Sequence, residues 1–178
     1  MTLPEKILAI HAALAGADVP HAFGGALALA WCTEQARGTI DIDVNLFAAP
    51  GDARHLLAAL PRDVVWSDAD VALVERDGQM RLWWGPTPVD VFTSTTPFHE
   101  QAAHRVRWEH LGGQPLPFLD CDDLAVFKAV FDRTRDWADL EEMAAAGTLD
   151  VESVAGVLVT YLGADDERLE LLRSLKGT

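Results

Sequence analysis

Residues 37–46 read Arg-Gly-Thr-Ile-Asp-Ile-Asp-Val-Asn-Leu, so Asp41 and Asp43 alternate with Ile40, Ile42 and Val44. A strand repeats every second residue, which sends both carboxylates to one face and the branched apolar side chains to the other. Asp is disfavoured in strands, so two of them within a β-branched run call for a partner. A divalent cation, which takes oxygen ligands, is such a partner. The alternation recurs in Pro88-Val89-Asp90-Val91-Phe92 and places a third carboxylate inside a strand. Upstream, the apolar stretch Val19 to Phe23 runs into Gly24-Gly25 at the head of an Ala- and Leu-rich segment. Glycine lets a phosphate approach the backbone, and a helix start offers free N–H groups and a positive dipole end. Each part has a plainer explanation by itself: a solvated strand face for the carboxylates, a tight turn for the glycines. Their order and spacing predict a joint site, with Asp41, Asp43 and Asp90 as metal ligands and Gly24 and Gly25 around a triphosphate.

The remaining pattern is that of an α/β (α+β) chain, with a small mixed sheet, flanking helices and a C-terminal helical segment. Leu3, Ile7, Ile10 and Leu14 recur at helical spacing and Gly16 ends the run. Val19–Phe23 and Ile40–Phe47 read as strands, and Ala26–Gln35 as a buried helix. A helix over Asp52–Leu60 stops at Pro61. Short strand-like runs follow at Val64–Trp66, Val71–Glu75, Met80–Trp84 and Val89–Phe92, with Asp77-Gly78 as a hairpin signal. His104–Glu109 alternates again, and Gly112-Gly113 with Pro115 and Pro117 reads as a linker. From Asp120 onward the periodicity is helical. The expected division is a core over residues 1–112 and a helical segment over 113–178.

The chain has 178 residues, of which 49% are hydrophobic, enough for a packed core. Its 28 acidic against 14 basic residues leave a formal charge of −14. That balance opposes broad electrostatic capture of nucleic acid and suits a cationic small molecule or a protein as partner. The two cysteines, Cys32 and Cys121, are too few for a disulfide framework or zinc cluster. They read as reduced thiols, with Cys32 packed as a small hydrophobe. The segment around Glu5 and Lys6 lacks a signal-peptide apolar core, and the longest apolar run, Ala22 to Cys32, is too short to span a bilayer. A cytoplasmic location away from the membrane is expected.

Other signals are weaker. Lys128 lies four residues after Leu124 and three before Phe131, bordering the buried face of its helix. It reads as a phosphate contact or as a stem packed along the core. Arg135 and Asp139 read as a surface pair. Arg105 and Arg107 suit a triphosphate or a solvated strand face. Trp83-Trp84 suits base stacking less well than hairpin packing. His99-Glu100 with His104 is no zinc-protease helix, because at a separation of five the imidazoles diverge by about 140°.

The order Phe23-Gly24-Gly25-Ala26, Arg37-Gly-Thr39-Ile-Asp41-Ile-Asp43 and Val89-Asp90-Val91-Phe92 resembles the DNA polymerase β-like nucleotidyltransferase superfamily. The later stretch Asp122-Asp123-Leu-Ala-Val-Phe-Lys128 to Arg133-x-Arg135-Asp136-x-x-Asp139-Leu looks like the AbiEii branch, nucleotidyltransferase-like toxins of toxin–antitoxin systems. The resemblance covers about residues 19–140. It implies transfer of a nucleoside monophosphate from an NTP, with release of pyrophosphate, to a hydroxyl of tRNA, a protein or a cationic aminoglycoside-like molecule. Two magnesium ions about 4 Å apart would serve the attacking and leaving oxygens. The implied site comprises Asp41, Asp43 and Asp90 as metal ligands, Gly24, Gly25 and Arg37 around the triphosphate, and Lys128 and Asp136 in support. An antitoxin partner is implied, and a degenerate binding module is the rival from another class.

Overall fold

The computed structural model describes residues 1–36 and 38–175. They fall into two compact units: Met1–Leu27 with Gly38–Leu119, and Ala28–Arg37 with Asp120–Thr178. The second unit takes in a stretch near residue 30 besides the C-terminal helices.

The first unit carries a six-stranded mixed sheet in the order β3-β4-β2-β1-β6-β5. Its strands are β1 (His21–Phe23), β2 (Ile42–Leu46), β3 (Gln79–Trp84), β4 (Thr87–Thr93), β5 (Arg107–Leu111) and β6 (Gln114–Phe118). β2 runs parallel to β4 and antiparallel to β1, and β1 pairs parallel with β6. Ala22, Ile42, Val44, Leu82, Val89, Val91 and Leu116 are all buried in it, which removes their apolar surface from water. Helix α1 (Leu3–Gly16) begins at Thr2, whose hydroxyl accepts from the Glu5 N–H while Glu5 accepts from the Thr2 N–H. It buries Ile7, Ile10 and Leu14, as their spacing predicts. Its buried Lys6 donates to the Trp84 carbonyl at 2.8 Å and to the Thr87 hydroxyl at 2.7 Å, tying α1 to the β3–β4 turn.

Several local expectations give way to helix and turn chemistry. Val71–Glu75 is not a strand but part of α4 (Asp68–Asp77). Ser67 and Asp70 form a reciprocal capping box, and Val71 and Val74, three apart, are the buried pair. Asp77-Gly78 ends that helix. Gly78 sits at φ 71°, where a Cβ would lie 2.1 Å from the Thr95 methyl, a backbone state glycine adopts at little cost. The hairpin turns instead at Gly85-Pro86, between β3 and β4. Gly112-Gly113 is a second hairpin turn, between β5 and β6, not a linker. Val64–Trp66 contributes only a bridge from Val65 to Trp83. A 3₁₀ turn (Pro50–Asp52) leads into α3 (Ala53–Ala58), and α5 (Pro97–Ala102) covers the His99-Glu100 pair.

The second unit contains α6 (Cys121–Phe131), α7 (Thr134–Ala145), α8 (Val151–Leu162) and α9 (Glu167–Ser174). α6, α8 and α9 start on Asp120, Asp150 and Asp166, whose carboxylates accept from N–H groups of the first turn. It also holds the C-terminal part of α2 (Gly25–Thr33). Cys32, near the end of α2, is disulfide-bonded to Cys121 at the start of α6, with Cα atoms 5.7 Å apart. The reduced-thiol expectation is therefore corrected. Two cysteines 89 residues apart carry no pairing signal along the chain, and only the fold sets their Cα atoms at bridging distance. Such a bond belongs to an oxidising compartment or a redox-sensing link, so the cysteines lend no support to a reducing one. No helix among the described residues is long and apolar enough to cross a membrane.

Candidate active site

The alternation of β2 and β4 brings the acidic residues together in the first unit. Asp43 of β2 and Asp90 of β4 are direct partners across the parallel pair, so their side chains leave the same face. Asp41 stands one residue before β2, which starts at Ile42 rather than Ile40; Ile40 is 74% exposed and outside the core. All three carboxylates are half-buried. Thr39 fixes Asp41: its hydroxyl donates to the Asp41 carboxylate and accepts from the Asp41 N–H at 3.3 Å.

A cation stands among them. Arg81 of β3 is the antiparallel partner of Asp90. Its Nε donates to Asp90 Oδ1 at 2.7 Å and its Nη2 to Oδ2 at 2.6 Å, a bidentate fork. The same Nη2 lies 3.8 Å from Asp41 Oδ2. The fork on Asp90 holds the guanidinium pKa above its ordinary value, and the charges of Asp90, Asp41 and Asp43 add to the effect. Neither Thr39 nor Arg81 stands out in the sequence. Arg81 becomes legible once the hairpin is turned at Gly85-Pro86, because counting back from that turn pairs Trp84 with Thr87 and Arg81 with Asp90.

The glycines are required by this geometry. Gly25 opens α2 at φ 50°, and a Cβ there would lie 1.9 Å from Asp43 Oδ2. A Cβ on Gly24 would lie 2.9 Å from Asn45 Nδ2 and 3.2 Å from a Leu119 methyl, and the Gly24 N–H donates to the Asp43 carbonyl at 2.9 Å. The strand-to-helix turn thus runs directly against the Asp43 carboxylate. Arg37, the remaining residue expected at the phosphates, lies outside the described residues.

Among the described residues no group of three acidic, His or Cys side chains is gathered in a metal-ligating arrangement. The donor set nevertheless suits a hard divalent cation. It is all oxygen, it comes from β2, the residue just before β2 and the adjacent β4, and two of its members already meet the guanidinium of Arg81.

Lys128 and Asp136 lie in the second unit, with a different character. Lys128 is 6% exposed, Asp136 3% and Asp139 1%. The Lys128 ammonium donates to the Asp139 carboxylate and lies 3.7 Å from Asp136 Oδ1. Asp136 also accepts from Arg133 Nε at 2.6 Å. The expected surface pair of Arg135 with Asp139 is not what forms. The 3.6-residue repeat of α7 turns Asp136 and Asp139 inward with Leu140 and Met143, and leaves Arg135 exposed.

With this geometry in hand, likeness to solved structures becomes informative. No protein-family model matches the chain, and no curated protein matches its sequence. The solution structure of the antibiotic-resistance factor ANT(2'')-Ia superposes with a TM-score of 0.57 at 18% identity, covering 96% of this chain and 89% of that one. The fold is that of a nucleotidyltransferase. The crystal structure of ANT(2'')-Ia in complex with adenylyl-2''-tobramycin gives 0.56 at 18% identity, covering 98% and 96%. An antigenic nucleotidyltransferase-like protein from Paracoccidioides brasiliensis gives 0.55 at 13% identity, covering 97% and 85%. At such identities the likeness concerns the fold, and the chemistry rests on the residues of this chain.

Proposed function

We propose that the protein transfers a nucleoside monophosphate from an NTP to an acceptor hydroxyl and releases pyrophosphate. The observation that carries this reading is the close approach of Gly25 to Asp43, opposite Asp90 on the neighbouring strand. A glycine turn without side chains beside paired carboxylates lets a phosphate approach the backbone, and carboxylates set beside a polyphosphate need a cation between them. Magnesium, when bound, supplies positive charge that lowers the acceptor pKa and offsets charge on the departing pyrophosphate. Asp41 and Asp43 would hold it, with Asp90 as third ligand. Gly24 and Gly25 would cradle the triphosphate against the start of α2, at the positive end of the helix dipole. The acceptor oxygen bonds to the α-phosphorus as the bond from that phosphorus to the pyrophosphate oxygen breaks, and Asp90 draws off the acceptor proton. Arg37 joins this reading as a triphosphate contact, and Lys128 and Asp136 as supporting residues whose charges are already matched within the second unit.

For the acceptor, a cationic aminoglycoside-like molecule is favoured by the formal charge of −14 and by the likeness in fold to ANT(2'')-Ia, solved with adenylyl-2''-tobramycin. A tRNA or protein acceptor, with an antitoxin partner and a cytoplasmic setting, goes with the AbiEii-like stretch from Asp122 to Asp139. The first test is calorimetric titration of ATP, GTP, CTP and UTP, with and without magnesium, into wild type and the Asp41→Ala/Asp43→Ala variant. Magnesium-dependent binding of a nucleotide, lost in the variant, is expected. No binding of any of the four overturns the enzyme reading and leaves a non-catalytic binding module. The nucleotide that binds is then offered, labelled, with tobramycin, tRNA or cell protein. Transfer to tRNA should weaken steeply with salt.

A further inference from the structure

Arg81 does more than neutralise one carboxylate. It reaches Asp90 with both arms of its fork and comes within 3.8 Å of Asp41, so one guanidinium touches two of the three residues assigned to a metal. Its side chain is 51% exposed, whereas that of Asp90 is 16% exposed. It stands on β3, at the edge of the sheet. A long, half-exposed side chain on an edge strand leaves for solvent at small cost, while a partly buried aspartate on an inner strand has little freedom to move. A bidentate fork takes one lone pair of each Asp90 oxygen and sets a positive charge where a cation would approach.

We propose that Arg81 is a positioning residue that takes the place of the metal, holding Asp90 and Asp41 in register and being displaced when a divalent cation binds. This rests on the assignment of Asp41, Asp43 and Asp90 as metal ligands. No covalent step is involved: one positive group exchanges for another at the same oxygens. The consequence is a site that resists free cation, because the incoming charge must compete with the guanidinium already beside Asp90 and Asp41. A residue of purely structural value would lower stability when removed and leave cation affinity unchanged or weaker. Arg81 differs in sign, since removing it makes cation binding tighter.

The experiment is calorimetric titration of Mg²⁺ and of Mn²⁺, without nucleotide, into wild type, Arg81→Gln, Arg81→Lys and Asp41→Ala/Asp43→Ala. Arg81→Gln is expected to bind either cation about tenfold more tightly than wild type, because a competing unit charge near 4 Å has been removed. Arg81→Lys, which keeps the charge but loses the fork, should fall between them. Thermal melting in EDTA confirms that each variant folds, and added Mn²⁺ should raise the melting temperature of Arg81→Gln by more than that of wild type. Unchanged or weaker cation binding in Arg81→Gln, with wild type binding normally, overturns the exchange and leaves the metal assignment standing. Cation binding that persists in Asp41→Ala/Asp43→Ala, or is absent from wild type and Arg81→Gln alike, overturns the metal assignment and the exchange with it.

Discussion

Two clusters of opposite charges, one in each unit, use the same residue types to different ends. In the second unit Lys128 meets Asp136 and Asp139, all three nearly inaccessible to solvent, with Arg133 adding a second cation to Asp136. In the first unit Arg81 meets Asp90 and approaches Asp41, but all are at least partly exposed, and the charges of Asp90, Asp41 and Asp43 all act on that guanidinium. Burial makes the first cluster obligatory, since an ion taken from water must find its counter-charge or cost several kcal/mol. Partial exposure makes the second exchangeable, because water and mobile ions can replace any member. A fold holds charge permanently where it excludes water and keeps charge for use where it does not.

The largest expected effect belongs to the covalent link within the second unit. Reducing the Cys32–Cys121 bond releases a loop spanning 89 residues of sequence separation. Chain-entropy reasoning puts the loss at about 4.5 kcal/mol, to be read from urea unfolding with and without reductant. An unchanged midpoint would mean that α2 and α6 are held together without it. Next comes Lys128→Met, which takes the ammonium away from the buried carboxylates of Asp139 and Asp136 and should cost about 3 kcal/mol. The same measurement on Arg81→Gln should show less than about 1 kcal/mol, because that pair is half-exposed. Similar losses in the two variants would erase the distinction between the clusters. Gly25→Ala should cost about 1–2 kcal/mol for its left-handed backbone and, by pushing a methyl into Asp43, abolish magnesium-dependent nucleotide binding. Retained binding would detach the glycine from the site.

A separate effect is that of pH on the first unit. Burial lowers the pKa of His99 to about 4, and burial also lowers that of His21. A histidine with a depressed folded pKa binds its proton more readily when unfolded. The stability it contributes is therefore whole above about pH 6.5 and declines as the pH falls toward 4. His99→Gln should flatten the acid limb of the melting-temperature profile over that window. An unaltered limb would assign the acid sensitivity to other groups.

Much of the first unit could be read from its residues. Alternation marked β2 and β4 and placed Asp43 and Asp90 within them, because a period of 2 is a local property of the backbone, whereas their shared face came from the register of the two strands. Gly24-Gly25 marked the turn, though not its cause, the carboxylate of Asp43 lying where a Cβ would go. The stretch Val71–Glu75 misled because two valines three apart serve a helix as well as a strand, and the cap at Ser67 decides between them. Arg81 and the tie from Thr39 to Asp41 escaped notice because these contacts are set by register and by a turn, neither of which has a composition.

What the sequence by itself determined is which residues share a face, where helices begin, and that a strand rich in aspartate would need a counter-ion. Those follow from interactions between near neighbours, whose geometry is the same in any fold. The tertiary structure alone decided which charge meets which: Arg81 with Asp90, Lys128 with Asp139, Cys32 with Cys121. It also decided which of those meetings is sealed from water. Solvent exposure depends on how distant segments pack, and it is exposure, rather than residue type, that separates a charge in reserve from one built into the core.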